Sequence, residues 1–287
     1  MSATTTTSRG ARAGSATGSG PTLGRVVASE WTKLTSLRSP WWTAAVTVVV
    51  SGVITYLSAQ ASSVDPVFHP LDSLSTGLLL GQVGPLVLGV LVGAGEFRTG
   101  AFRSTFTVVP RRWPVLAAQT AVVAGFGLLL GAAVAVACVL GVLPPAIARD
   151  VPVDLGADGT PAVLLGMVLY VTGLALLGFA LGALLRRTVP ALLTALVLVL
   201  ILPIVLMMAD DPYGGSMLAE DVRVTTLGTI GALTPGTAGQ MMTVPAASGP
   251  MDGAPDLGQV GSGLVFAAWV LLLLVAAAVR LRARDVR

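Results

Sequence analysis

The chain has 287 residues, of which 54% are hydrophobic and only 11% charged, with a formal net charge of +3 and a mean hydropathy of +0.85. A soluble domain carries about 25% charged residues, so this composition excludes an ordinary soluble protein and indicates an all-α, polytopic membrane protein. A single cysteine (Cys138) and a single histidine (His69) exclude a disulfide framework and a Cys/His metal cluster.

Residues 1–22 are rich in Ser, Thr, Gly and Ala, with Arg9 and Arg12. Such a segment cannot bury apolar surface and is expected to be a disordered tail. It does not read as a signal peptide, because no apolar run follows its arginines closely.

Residues 23–40 read as an amphipathic helix. Leu23, Val26, Val27, Trp31, Leu34 and Leu37 fall on one face at helical spacing, and Arg25, Ser29, Thr32, Lys33 and Ser36 on the other. The segment is too polar to span and is expected to lie in the membrane interface, with Trp41 and Trp42 at headgroup level. Glu30 breaks the pattern, since it falls in the middle of the apolar face. Its stem either bends the carboxylate to water, or the carboxylate pairs with Lys33, three residues on, or it meets an arginine from elsewhere on the same side.

The region 41–280 reads as one transmembrane domain. Six apolar runs follow, at about 42–60, 74–95, 115–142, 162–185, 189–209 and 263–279. Each approaches the ~20 residues needed to cross ~30 Å of hydrocarbon. Pro85 and Pro203 are expected to kink the second and fifth. Small-residue pairs one turn apart (Gly77/Gly81, Gly89/Gly93, Gly127/Gly131, Gly178/Gly182) are expected to let neighbouring helices approach closely.

Six spans sort the charges. All the Lys and Arg residues fall on the side of the termini except Arg149 and Arg223, while the acidic residues there are only Glu30, Glu96 and Asp285. By the positive-inside rule both termini are cytoplasmic, including the basic tail 281–287. The long outside loop 210–262 is only half polar. Within it, 219–233 has helical character, 233–242 is apolar enough to touch the outer mouth of the spans, and 249–261 reads as a solvated loop.

The spans contain no Asp, Glu, Lys, Arg or His between their ends. Such a charge costs roughly 2.5–3.5 kcal/mol or more at mid-membrane, and carriers driven by ion gradients accept that cost to build their sites. Its absence argues against an ion-coupled carrier. The sparse polar residues include Thr47, Ser51, Thr55, Gln82, Gln119, Thr120, Tyr170, Thr172 and Thr194; a pathway lined this way suits an apolar or amphipathic cargo. No phosphate-binding loop is present, since Lys33 is the only lysine, and there is no nucleophile elbow or zinc-protease motif. The chain is therefore expected to be no enzyme, to hold no cofactor and to bind no nucleic acid.

One connection is richer than topology requires. Between the second and third runs lie Glu96, Phe97, Arg98, Thr99, Gly100, Phe102 and Arg103, followed by Phe106, Arg111, Arg112 and Trp113. Residues 99–108 can form a short surface helix with its phenylalanines to one side. Glu96 at the entry suits a helix N-terminus, and the arginines offer charge-assisted contacts to a soluble partner.

Two stretches resemble the type-2 permease family of ATP-binding-cassette transporters, the membrane subunits of certain bacterial exporters. One is the run Ser29, Glu30, Trp31, Thr32, Lys33, Leu34 leading to Pro40, Trp41 and Trp42, similar to that family's interfacial helix entering its first span. The other holds Glu96, Phe97, Arg98 and Gly100, similar to its E-[FY]-R-x-G core after the second span. Ala101 and Phe102 depart from the β-branched pair usual there. The resemblance implies that Glu96, Phe97, Arg98, Thr99, Gly100, Phe102 and Arg103 dock on a separate cytoplasmic ATPase subunit, which would hold ATP and Mg²⁺. It also implies a second permease chain, identical or paralogous, and a place in the bacterial plasma membrane. The alternative is a non-transporting membrane anchor or sensor that binds a cytoplasmic regulator.

Overall fold

The computed structural model describes residues 22–65, 68–99, 112–156, 159–210 and 223–283, and every regular element among them is helical. Helix α1 (Leu23–Ser36) leads into α2 (Arg38–Ser62). A 3₁₀ turn (Pro70–Ser73) and the short α3 (Leu78–Gly81) precede α4 (Val83–Thr99). Then come α5 (Arg112–Ala148), α6 (Thr160–Leu185), α7 (Thr188–Leu196), a π-helical turn (Val197–Ile201) and α8 (Leu202–Ala209). Helices α9 (Thr226–Ala232) and α10 (Pro235–Met241) precede the last helix, α11 (Gly258–Ala283).

Six segments are long and apolar enough to cross a membrane: Arg38–Ser62, Pro70–Gly95, Val115–Ala148, Thr160–Leu185, Thr188–Ala209 and Gly258–Leu281. They correspond to the six runs expected from sequence and make this a multi-pass membrane architecture. Span 4 is central, with 67% of its apolar window buried, whereas span 5 is peripheral at 17%. The core cluster runs along α6 through Met167, Tyr170, Val171, Leu174 and Leu177, and α4, α5, α7 and α11 all pack against that helix.

Two boundaries differ from expectation. The break between α1 and α2 falls at Leu37, in extended conformation (φ −84°, ψ 140°), and Pro40 lies within the first turn of α2. First-turn N–H groups have no intrahelical acceptor, so a proline there forfeits nothing. Helix α5 also runs on past residue 142, through Pro144 and Pro145, to Ala148. Pro144 and Pro145 carry no N–H, so the carbonyls of Leu140 and Gly141 lose their helical donors, and the helix ends within one turn of them.

The glycine pairs meet as expected. A Cβ on Gly89 or Gly93 would fall on the carbonyl oxygens of Ala175 and Phe179 in α6. Conversely, a Cβ on Gly178 would fall on Leu86 O, and one on Gly182 would lie 2.8 Å from Val90 O in α4. The two pairs therefore face each other, backbone against backbone. Gly127 and Gly131 of α5 lie against Thr172 and Val168 of α6, where an added Cβ would come within 3.1 Å of Thr172 Cα and 2.7 Å of Val168 O. Gly77 and Gly81 lie against Ser51 of α2.

The two spans expected to kink, at Pro85 and Pro203, are interrupted rather than merely bent. Span 2 breaks between α3 and α4 at Gln82, three residues before Pro85. Span 5 passes through the π turn that ends two residues before Pro203. In each case the proline ring excludes the regular hydrogen bond to the preceding turn, and the freed carbonyls lie just upstream.

The long connection between spans 5 and 6 is folded where described. Thr225 caps α9 by accepting from Gly228 N at 2.8 Å, and Thr234 caps α10. Residues Pro235, Gly236, Thr237, Ala238 and Gly239 are all buried, with Gly239 against the ring of Tyr170 and Gly236 against Val199 O. Segment 233–242 thus inserts into the bundle end, deeper than a cap resting on it. The expected solvated loop 249–261 is partly packed: Thr225 N donates to Gly253 O at 2.9 Å, Ala254 is buried, and α11 begins at Gly258.

Replacing Gly178 with leucine forces its side chain onto the α4 backbone. The expected cost is about 1–3 kcal/mol or more, read as a lowered unfolding temperature in detergent, while Gly24→Ala, with nothing within 4 Å of its added carbon, leaves that temperature unchanged.

Candidate functional site

Helix α1 is clamped to the spans by aromatic rings. Trp31 lies 6.5 Å from Phe126 of α5 in tilted geometry, and Trp41 of α2 meets the same ring edge-on at 5.8 Å. The Trp41 indole Nε1 donates to Thr35 O at 2.9 Å, taking up one of the free carbonyls at the end of α1 and closing the elbow. Val26, Glu30 and Leu34 form the buried face of α1. Leu34 packs with Leu88 of α4 and Val122 and Phe126 of α5.

Between α1, the start of α2, α4 and α5 the structure leaves a cavity of about 530 Å³. Its apolar walls are Leu34, Leu88, Leu91, Val92 and Val122, and its polar end is formed by Glu30, Lys33, Arg38 and Gln119. Gly95, at the end of span 2, and Thr188, at the start of span 5, also border it. The α1–α2 elbow, the exit of span 2 and the turn between spans 4 and 5 therefore converge on one face.

Glu30 is buried, and of its two expected partners the structure has Lys33. Lys33 Nζ donates to Glu30 Oε1 at 2.5 Å, and Gln119 Nε2 donates to Oε2 at 3.4 Å. The glutamine, from the far end of the sequence pair, is the partner that spacing did not reveal. A carboxylate leaving water needs such partners to offset desolvation. The lysine head stays about half exposed (54%), so the pair is only partly desolvated. Lined this way, the cavity can hold an amphipathic molecule with its charged end at the elbow.

A second polar cluster lies where span 2 breaks. Gln82 Nε2 donates to Leu79 O at 2.8 Å, replacing a lost helical bond, while its Oε1 accepts from Tyr170 Oη at 2.6 Å and from Gln240 Nε2 at 3.3 Å. One side chain thereby joins the broken span, the central helix and the inserted α10. The break is readable from Pro85, but the pairing of Gln82 with residues 88 and 158 positions away has no local signal.

Of the expected interfacial-helix residues, Glu30, Trp31, Lys33, Leu34 and Trp41 meet at this elbow, whereas Trp42 points away and is 69% exposed. For the expected docking segment, the backbone of Glu96, Phe97, Arg98 and Thr99 continues α4, and Gly100, Phe102 and Arg103 lie outside the described residues. No protein-family model matches the chain, and no curated protein matches it.

Tyr170→Phe removes the Gln82 partner but keeps the shape, and is expected to cost about 1 kcal/mol in a denaturation measurement. In a double-mutant cycle, the half-exposed Glu30–Lys33 pair should show a coupling of only about 0.2–1 kcal/mol.

Proposed function

We propose that this chain is the permease subunit of an ATP-driven exporter of the type-2 ATP-binding-cassette kind. It moves an apolar or amphipathic cargo by alternating access, and a separate cytoplasmic ATPase, which carries ATP and Mg²⁺, drives it. Its arginine-rich connections and both termini face the cytoplasm, α1 lies along the inner surface of a bacterial plasma membrane, and a second permease chain completes the pathway.

The observation that supports this most is the course of α4. It runs as one helix from Val83 through Thr99, past the end of the apolar span at Gly95 and into the basic connection. The same helix is seated backbone to backbone on α6 through Gly89 and Gly93. A displacement imposed at residues 96–99 is therefore passed to the centre of the bundle without slack. At its other end, α4 begins at the Gln82 break, where the chain has a joint rather than a continuous helix. A stiff rod between a docking segment and a joint suits transmission of ATPase motion. An anchor needs no such part.

The test is a pull-down from mild detergent with the tagged chain as bait. The expected result is recovery of a soluble ATPase, lost when residues 96–103 are replaced by a Gly/Ser linker. Recovery of the chain alone in several detergents would transfer the assignment to the anchor or sensor. In the reconstituted complex, Glu96→Ala with Arg98→Ala removes charge-assisted contacts of about 1.5–3 kcal/mol each, equivalent to about ten- to a hundredfold in affinity. Cargo-stimulated ATP hydrolysis should fall accordingly while insertion is unaffected; unchanged hydrolysis overturns the docking role of these residues.

A further inference from the structure

We propose that α10 is a latch. Seated, it pins the break in span 2 and the π turn in span 5 in one arrangement; withdrawn, it frees both joints together. The proposal depends on neither the exporter reading nor the orientation given above.

The seat of α10 lies where the two joints are. Gln82 occupies the gap between α3 and α4, and Gln240 Nε2 of α10 donates to its Oε1 at 3.3 Å. One turn earlier on the same face of α10, Gly236 lies against Val199 O, with Pro203 beside it: an added Cβ would fall on that oxygen and lie 2.9 Å from Pro203 Cγ. Val199 O is the carbonyl that Pro203, lacking an N–H, cannot bond in α-helical register. Span 5 adopts the wider spacing there, with Leu202 N donating to Val197 O. A single turn of α10 therefore bridges the irregular point of span 2 and that of span 5. It meets each span where regular helical bonding has been given up.

The manner of contact suits withdrawal. At Gly236, and at Gly239 on the ring of Tyr170, no side chain of α10 has to clear the neighbouring span. Its polar hold on span 2 is a neutral amide bond at the long end of the normal range. Toward α11 the segment is tied at both ends: Trp269 Nε1 donates to Leu233 O at 2.8 Å, and Gln259 Nε2 to Val244 O at 2.5 Å. Helix α10 thus belongs with α11 and leans on spans 2, 4 and 5. At seven residues it falls below the roughly 12–15 at which an isolated helix becomes marginally stable. Leaving the seat therefore unwinds it, and amide exchange reports the event.

The latch bears on the joint from which α4 starts. With α10 seated, Gln82 is held at once to Tyr170 and to Gln240, and α4 has a fixed foot. With α10 withdrawn, α4 pivots at Gln82 and span 5 flexes at its π turn.

Hydrogen exchange read by mass spectrometry on the full chain in lipid nanodiscs tests this. Gln240→Leu removes the amide bond to Gln82, and Gly236→Leu drives a side chain onto Val199 O. Each should speed exchange in 235–241, and with it in both 78–86 and 197–204, by about tenfold, the equivalent of one lost hydrogen bond. Leu193→Ala, at a 58% exposed position on span 5, should leave all three segments unchanged. Gel filtration and far-ultraviolet circular dichroism check folding, and Gly236→Ala, a smaller intrusion on the same carbonyl, serves if the leucine variant misfolds. Faster exchange confined to 235–241 overturns the proposal, because α10 would then be a cap that fixes neither joint. Faster exchange at one joint alone, or none in 235–241 in either variant, overturns it as well.

Discussion

The contact on which the bundle depends is the one between α4 and α6, where two pairs of glycines remove every side-chain atom from the path of the opposing backbone. In lipid, apolar helices gain nothing by hiding from solvent, since the acyl chains are as apolar as they are. Association rests on dispersion contacts and the few polar bonds that close approach permits. The facing glycine pairs give that approach over two turns. Helix α6 then serves as the post to which α5 attaches through Gly127 and Gly131, while Phe266 of α11 lies against Gly173. Around this post the buried aromatic pair Tyr170 and Phe266, 5.4 Å apart, and the inserted α10 fill one end of the bundle.

Polar groups in this fold are spent mainly on backbone. Thr47, Thr120, Thr172 and Thr194 each donate to the carbonyl one turn back within their own helix. They therefore satisfy helical acceptors instead of presenting a lined pathway. Where helices end or break, larger side chains take over: Trp41 on Thr35 O, Trp269 on Leu233 O at 2.8 Å, and Arg280 on Leu184 O at 2.6 Å. Each bond removes an unsatisfied carbonyl from a place where water is scarce. Gln82 does this at the break in span 2 and in addition reaches two neighbouring elements. Tertiary specificity in a chain with so few polar residues is concentrated in such side chains.

Much of this was legible in the sequence because it depends on local properties. Span number and approximate limits follow from run length, the breaks from Pro85 and Pro203, and the helix contacts from glycine spacing. The Glu30–Lys33 pair was legible for the same reason, being three residues apart on one helix. What escaped was long-range. Nothing near Gln119 marks it as a partner of Glu30, because on its own helix it is simply one polar residue in an apolar run. Segment 233–242 has the composition of a surface patch, and its burial depends on the gap left beside Tyr170. The boundary at Leu37 was misplaced because Pro40 dominates the local pattern, although a first-turn proline is neutral to a helix.

Helix α5 is out of scale with its surroundings. At 37 residues it is about 55 Å long, against a hydrocarbon thickness of about 30 Å, and no tilt in the usual range of up to about 40° absorbs the difference. Its apolar stretch must therefore emerge from the lipid, and the fold covers one face of what emerges, while Ile147 on the other face is 74% exposed. Val115, Ala118 and Val122 at one end and Val142 and Ala146 at the other are all buried in protein. The elbow helix flanks the first end, and the 3₁₀ turn Pro70–Ser73 packs against the same helix. This geometry makes α5 a fixed mast with a collar at each end, so a thinner or thicker bilayer would be met by the surrounding, shorter spans and not by this helix.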